Sequence, residues 1–199
     1  NYMNNALDYY YEKSKIWAIS GYSFPMKAMN NYKHDIYMSG RACSWGWATW
    51  KNRWDLVDWA VSDYRTFKHN WIKRYAFGKW GADMPIMLDA FMYNEIHSWA
   101  IRWCYSAYKQ NKLTVYPVKS RVKNCGTDGS GTNYVSVETR YDTDILKIKS
   151  ECCFEMCEIN KKICKEFSRK YTLGLERFKM EIRWFLIRCG FLKSKVKLK

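Results

Sequence analysis

The sequence predicts an α/β domain, and two kinds of segment carry that expectation. Apolar residues at helical spacing open the chain, with Met3, Ala6, Leu7 and Tyr10 on one face, and the same period returns from Met84 to Asn94. Short apolar runs closed by turn residues, Ile16-Trp17-Ala18-Ile19-Ser20-Gly21 and Leu113 to Pro117, read instead as buried strands. At 199 residues the chain is long enough for one large domain, or a domain with an appendage.

Taken in order, a helix over about 2–14 leads into the Ile16–Gly21 strand. Tyr22 to Asn31, with Pro25 and paired Asn, is loop, and His34 to Met38 forms a second short strand. Trp47, Trp50 and Trp54 fall at i, i+3 and i+7, so a helix is expected from Trp47 to Trp59. Another follows over 62–76 with Ser62 as its cap, until Gly78-Lys79-Trp80-Gly81 breaks it. The Met84–Asn94 helix carries Pro85 in its first turn, where a missing N–H costs nothing. A helix over Ser98 to Gln110 precedes the Leu113–Pro117 strand, and Asn124 to Thr132 is a glycine-rich loop. From Asp144 onward the pattern is helical and basic, with Phe178, Ile182, Phe185, Leu186 and Cys189 on one face. The expected division is therefore residues 1–143 as the folded body and 144–199 as a basic amphipathic tail.

The net charge of +15 predicts attraction to phosphates: nucleic acid, anionic lipid, or nucleotide and lipid-linked diphosphates. Fifteen Lys or Arg against six Glu follow Ile145, so most of the excess sits in the tail. That distribution argues against a specific nucleic-acid footprint on the body and for a tail resting on an anionic membrane surface. Eight cysteines form no framework. There is no CxxC pair, and Cys153, Cys157 and Cys164 read as one packed helical face, so reduced thiols in a cytoplasmic setting, peripheral to the inner face of a membrane, are expected. No apolar run is long enough to span a bilayer. Asn1 to Tyr11 reads as the interior of a helix, which suggests a chain that begins inside a domain.

The densest chemical signal is Ser44-Trp45-Gly46-Trp47-Ala48-Thr49-Trp50-Lys51-Asn52-Arg53-Trp54. Indole offers a large apolar face and one N–H donor, so four of them beside charges suit either a packed core or a wall on which sugar rings stack. Helical spacing favours core for Trp47, Trp50 and Trp54. The Ser-Trp-Gly-Trp portion is harder to explain as core, and Gly46 permits a tight turn there.

These residues, with Trp17-Ala18-Ile19-Ser20-Gly21-Tyr22, Asp83-Met84, Ser98-Trp99-Ala100-Ile101-Arg102-Trp103, Val115-Tyr116-Pro117 and Asp128-Gly129-Ser130-Gly131-Thr132, resemble in order and spacing the C-terminal half of a GT-A glycosyltransferase. The likeness is to the family-2-like group distantly akin to N-acetylglucosaminyltransferase I, and it covers roughly residues 1–135. It implies transfer of a sugar from a nucleotide-sugar donor to a glycan or lipid-linked acceptor. In that family a divalent metal, Mn or Mg, sits on the donor diphosphate, held by an Asp-rich strand in the N-terminal half. That motif is absent here, so the likeness describes a fragment that is inactive by itself. It places the general base in or near 83–98: Asp83 first, then His97 and Glu95. It makes Trp45, Gly46, Trp47, Arg53, Trp99 and Arg102 candidates for substrate contact, with Gly129, Ser130 and Gly131 closing over the donor.

Three other readings compete. A glycoside hydrolase needs two carboxyl groups flanking the bond, and only Asp55 and Asp58 lie near the tryptophans. A nucleic-acid module needs basic and aromatic residues interleaved on one face. A non-catalytic carbohydrate-binding or membrane-associated interaction domain needs neither.

Overall fold

A computed structural model describes residues 2–123, 143–145, 151–171 and 174–194. The fold is mixed α/β, built on a four-stranded mixed sheet. Helix α1 (Tyr2–Tyr10) is shorter than the 2–14 expected, because Lys13 and Ile16 take turn hydrogen bonds that aim the chain into the sheet. Strand β1 (Ile16–Ser20) is buried throughout, as its unbroken apolar run requires of a central strand. Strand β2 (Ile36–Ser39) starts two residues later than predicted. Strand β3 is Trp47–Ala48, and β4 is Leu113–Pro117.

The strand order is β2-β4-β1-β3. β1 and β4 run parallel, with Ile16 opposite Leu113 and Ile19 opposite Val115. A parallel pair needs a crossover, and residues 21–112 form it. β2 joins β4 antiparallel, Met38 facing Val115, and β3 caps the other edge, Ser20 facing Trp47.

The helix expected from Trp47 to Trp59 does not form. Its first two residues pair with β1, a single turn α2 (Lys51–Trp54) follows, and the rest is irregular. Sheet pairing of the backbone outweighs the helical spacing of the indoles. The expected 62–76 helix is likewise split into α3 (Tyr64–Phe67) and α4 (Trp71–Phe77). Asn70 caps the second piece by accepting from Lys73 N at 2.9 Å, while the Ser62 hydroxyl turns to Asp58. Helices α5 (Met84–Met92) and α6 (Trp99–Lys109) agree with expectation, and Ser98 Oγ caps α6 through Ile101 N at 3.3 Å.

The tail differs most. Residues 151–160 have no regular structure, so Cys153 and Cys157 share no helical face with Cys164. The segment instead lies against the sheet, with Phe154 packed on Tyr2 and Tyr10 and the Tyr10 hydroxyl donating to Glu155 O at 2.6 Å. Helix α7 (Lys161–Arg169) sends Ile163 and Phe167 into a cluster with Phe24, Tyr37 and Tyr116. Helix α8 (Glu176–Arg188) buries Trp184 and Ile187 on Ile86 and Ala90 of α5. Phe178, Ile182 and Phe185, read together on one face of the amphipathic tail, are exposed. A second helical stripe had gone unread.

The crossover helices are tied to α8 by one buried carboxylate. Asp89, fully buried on α5, accepts from the Tyr64 hydroxyl at 2.8 Å and from Arg74 Nη1 and Nη2 at 2.9 and 2.8 Å. Arg188 at the end of α8 donates to it as well, at 2.5 Å. Two guanidinium groups on one carboxylate satisfy every oxygen that burial strips of water. Burial first, then the Asp89 charge, pushes the Tyr64 hydroxyl far above the usual tyrosine range, so it stays a donor.

Candidate functional site

The stretch that leaves β2 builds one wall of a cavity of about 230 Å³. Ser39 ends the strand, and Gly40 follows where the Trp80 indole nitrogen lies 2.1 Å from the place a Cβ would occupy. Only glycine lets the chain pass beneath that ring, and the next residue, Arg41, is thereby aimed at the start of α5. Arg41 Nη1 donates to Asp83 Oδ1 at 2.7 Å and Nη2 to Oδ2 at 2.9 Å, a bidentate fork. The guanidinium also lies 3.7 Å from the centre of the Tyr171 ring, and the Tyr116 hydroxyl donates to Arg41 O at 2.8 Å. Burial works against the charge on Arg41, but the Asp83 carboxylate more than restores it, so its pKa is raised and it remains a cation.

Trp45, Met84, Met87, Ala100 and Ile101 complete the walls, with Cys43 and Cys104. Burial pushes the Cys43 thiol up to about 11 and raises that of Cys104, so both act as apolar lining. The Trp45 ring stands edge-on to Tyr22 at 4.7 Å. An ionised carboxylate has about four lone-pair sites. Arg41 takes two of those on Asp83, which leaves acceptor capacity at a group that is 15% exposed and borders the cavity. The arrangement offers a fixed carboxylate acceptor, an adjoining fixed cation and one indole.

Gly46 separates two aromatic environments. Its φ of +54° and the 2.5 Å approach of Val122 Cγ2 to an added Cβ both demand glycine. Trp45 falls on the cavity side, whereas Trp47 enters a cluster of six indoles. Trp17 stacks within 4.6 Å of Trp103, Trp47 lies 5.2 Å from Trp99 and 5.3 Å from Trp103, and Trp54 lies 4.7 Å from Trp59. Trp17 and Trp103 are buried, while Trp54 and Trp99 are about two-fifths exposed at 41% and 38%. The cluster is thus core at one end and an open aromatic face at the other. Helix α6 joins cluster and cavity, presenting Trp99 and Trp103 to one and Ala100, Ile101 and Cys104 to the other.

The remaining candidates lie elsewhere. Arg53 is buried beneath Trp50, its guanidinium 4.5 Å from that ring and bonded to Tyr11 O and Asn52 Oδ1. Arg102 donates to Trp59 O at 3.0 Å and rests on Phe91 at 4.4 Å. Glu95 pairs with Arg183 of α8, and His97 is exposed before α6. None of these four lines the Asp83 cavity. Gly129, Ser130 and Gly131 lie outside the described residues. Asp55 pairs with Lys51 on the surface and Asp58 with Lys109, so neither is aimed at the tryptophans as a hydrolase pair requires. Burial opposes ionisation of Asp58, but Ser62 and Lys109 outweigh it and lower its pKa.

Arg41 and Tyr171 escaped the sequence reading. Arg41 had a faint signal, a cation directly after a Ser-Gly strand end. Tyr171 had none, because it arrives from the far end of the chain.

Among the described residues no group of three or more His, Cys, Asp or Glu is placed to hold a metal ion. Asp83, the acidic residue lining the cavity, already faces Arg41. Comparison of the chain with protein-family models, with curated proteins and with solved structures gives no match.

Proposed function

We propose that these residues form the acceptor side of a GT-A glycosyltransferase, one that transfers a sugar from a nucleotide-sugar donor to a glycan or lipid-linked hydroxyl. One observation carries the reading. Three segments far apart in sequence, around Trp45, Asp83 and Ala100-Ile101, border a single cavity that holds a fixed carboxylate and an indole. Such a pairing fits a sugar hydroxyl and the C–H face beside it. The mixed sheet, with its parallel central pair and antiparallel edges, supports the same reading as the frame that brings them together.

In this reading an acceptor hydroxyl donates to a free lone pair of Asp83, which takes its proton as the oxygen attacks the sugar carbon. Arg41 positions that carboxylate and is a fixed positive charge beside it. Trp45 is the stacking surface, and Trp99 and Trp54 form a second open aromatic face on the other side of Gly46. Arg53 is assigned to structure. The donor is held by groups not identified among the described residues, and the basic α8 end of the chain rests on an anionic membrane surface.

The test is oligosaccharide binding followed by tryptophan fluorescence, together with sugar transfer from a panel of nucleotide sugars by a form that also carries a donor-binding half. Quenching by oligosaccharides that is lost in Trp45→Ala supports the reading. Quenching that survives Trp45→Ala and Asp83→Asn alike, or hydrolysis of a chromogenic glycoside without any nucleotide sugar, overturns it.

A further inference from the structure

A cavity of about 670 Å³ lies away from the Asp83 site, between α4, the start of α5 and α8. Five of its lining residues are Lys or Arg, and the acidic one is Glu181. Arg74 and Arg188 in its floor share the Asp89 carboxylate, so five cations face two anions and the cavity keeps a net charge of three. The Arg188 side chain is only 7% exposed, and its Nε has no hydrogen-bond partner among the described residues. That N–H is itself closed to solvent, so the charges an incoming anion meets are those of the exposed lining residues Lys79 and Arg177 and of half-buried Lys68.

The rim of this cationic cavity is apolar. Trp71 and Tyr75 of α4 and Phe185 of α8 line it, with exposures of 74%, 67% and 54%. Phe185 belongs to the stripe Leu175, Phe178, Ile182, Phe185 along α8, whose other members are 88%, 72% and 47% exposed. That stripe is separate from the one holding α8 to α5, so docking of the helix does not account for it. Trp and Tyr beside Leu, Ile and Phe, over a basic floor, are the residues that settle at the headgroup level of a bilayer. Charge selects among occupants: a second copy would set one cationic cavity against another, whereas an anionic bilayer complements it.

We propose that this cavity seats the phosphate headgroup of an anionic lipid while the exposed α4 and α8 side chains enter the interfacial layer. The proposal deepens the membrane part of the preceding reading and is independent of sugar transfer. It replaces a tail resting on the surface by a site that α4 and α8 build together.

The full chain is tested by flotation with vesicles of phosphatidylcholine alone or mixed with phosphatidylglycerol, in the absence of any nucleotide sugar. Binding is expected to the mixed vesicles only. Lys68→Gln, Lys79→Gln and Arg177→Gln together should weaken it about a hundredfold, from roughly fivefold per charge. Trp71→Ala with Phe178→Ala should also weaken it, by at least roughly tenfold. Those positions are at the rim, so an unchanged melting temperature accompanies the expected loss. Equal binding to neutral vesicles, or binding indifferent to both variants, overturns the proposal. So does occupation by inorganic phosphate with no vesicle binding, or self-association removed by Phe178→Ala. Absence of oligosaccharide quenching with vesicle binding intact would count against the transferase reading alone.

Discussion

Replacing Asp89 by Asn should be among the most destabilising single-atom-scale changes available in this chain. Asp89 accepts four hydrogen bonds within 2.9 Å, from Tyr64, twice from Arg74, and from Arg188. The amide keeps one acceptor oxygen and turns the other into a donor, so two of the four bonds are lost. Two guanidinium groups, 8% and 7% exposed, then lose their shared counter-charge. Removing one partner of a buried ion pair costs about 3–5 kcal/mol. For a protein of this size each kcal/mol moves the melting temperature by about 2–4 °C, so the expected fall is roughly 6–20 °C. Thermal melts and urea unfolding followed at Trp184 give the number, and limited proteolysis should show residues 174–194 released first. Asp55→Asn is the control: its partner Lys51 is 86% exposed, and such a pair contributes under about 1 kcal/mol. A melting temperature for Asp89→Asn within about 2 °C of the parent, with α8 still protected, would refute the view that this carboxylate joins α8 to the body.

Four further outcomes are expected. Trp17→Ala or Trp103→Ala should cost about 3–5 kcal/mol in urea unfolding, whereas Trp99→Ala should leave stability nearly unchanged and weaken oligosaccharide quenching; the opposite ranking would remove the open aromatic face from the argument. Gly46→Ala should destabilise by about 1–3 kcal/mol because its backbone is left-handed, and a neutral result in a urea titration would show that Val122 and the turn yield easily. In a form that also carries a donor-binding half, Asp83→Asn should lower sugar transfer by at least about a hundredfold with little change in acceptor affinity; transfer kinetics with an unchanged kcat would exclude it as the base. Cys43 and Cys164, both pushed up to about 11 by burial, should resist alkylation at pH 8, where about one thiol in a thousand is ionised, while exposed Cys153 and Cys189 react. Because those two pKa values are raised in the fold, their contribution to stability is complete below about pH 8.5 and is lost as pH rises through 11, which a pH series of melts checks.

The strands with uninterrupted apolar runs were legible because a fully buried strand needs nothing else, and β1 and β4 stand within a residue of their expected bounds. Capped helices were legible for a similar reason: Ser98 and Pro85 act within one turn of themselves. Trp47 shows the opposite case. Its spacing to Trp50 and Trp54 is helical, yet β1 offers it a partner strand, and while Trp47 and Trp54 meet in one cluster Trp50 lies apart over Arg53. The candidate site was half legible. Asp83 and Trp45 are the candidates that border one cavity; Trp99 and Arg102 do not, although their neighbours Ala100 and Ile101 do, and the cation that fixes Asp83 carries little signal in the sequence. Arg53, singled out as a ligand contact, serves Tyr11 O instead.

By itself the sequence determined what is local: an α/β composition, two buried strands, two capped helices and an excess of positive charge toward the C-terminal end. Tertiary structure alone decided which partners those pieces chose. It set Arg41 against Asp83 across forty-two residues and Arg188 against Asp89 across ninety-nine. It also turned one face of α8 inward and left the other bare. The physical reason is that propensity and spacing act within a few residues. A buried charge or an exposed apolar stripe has meaning only once the chain has brought its counterpart, or failed to bring one, into contact.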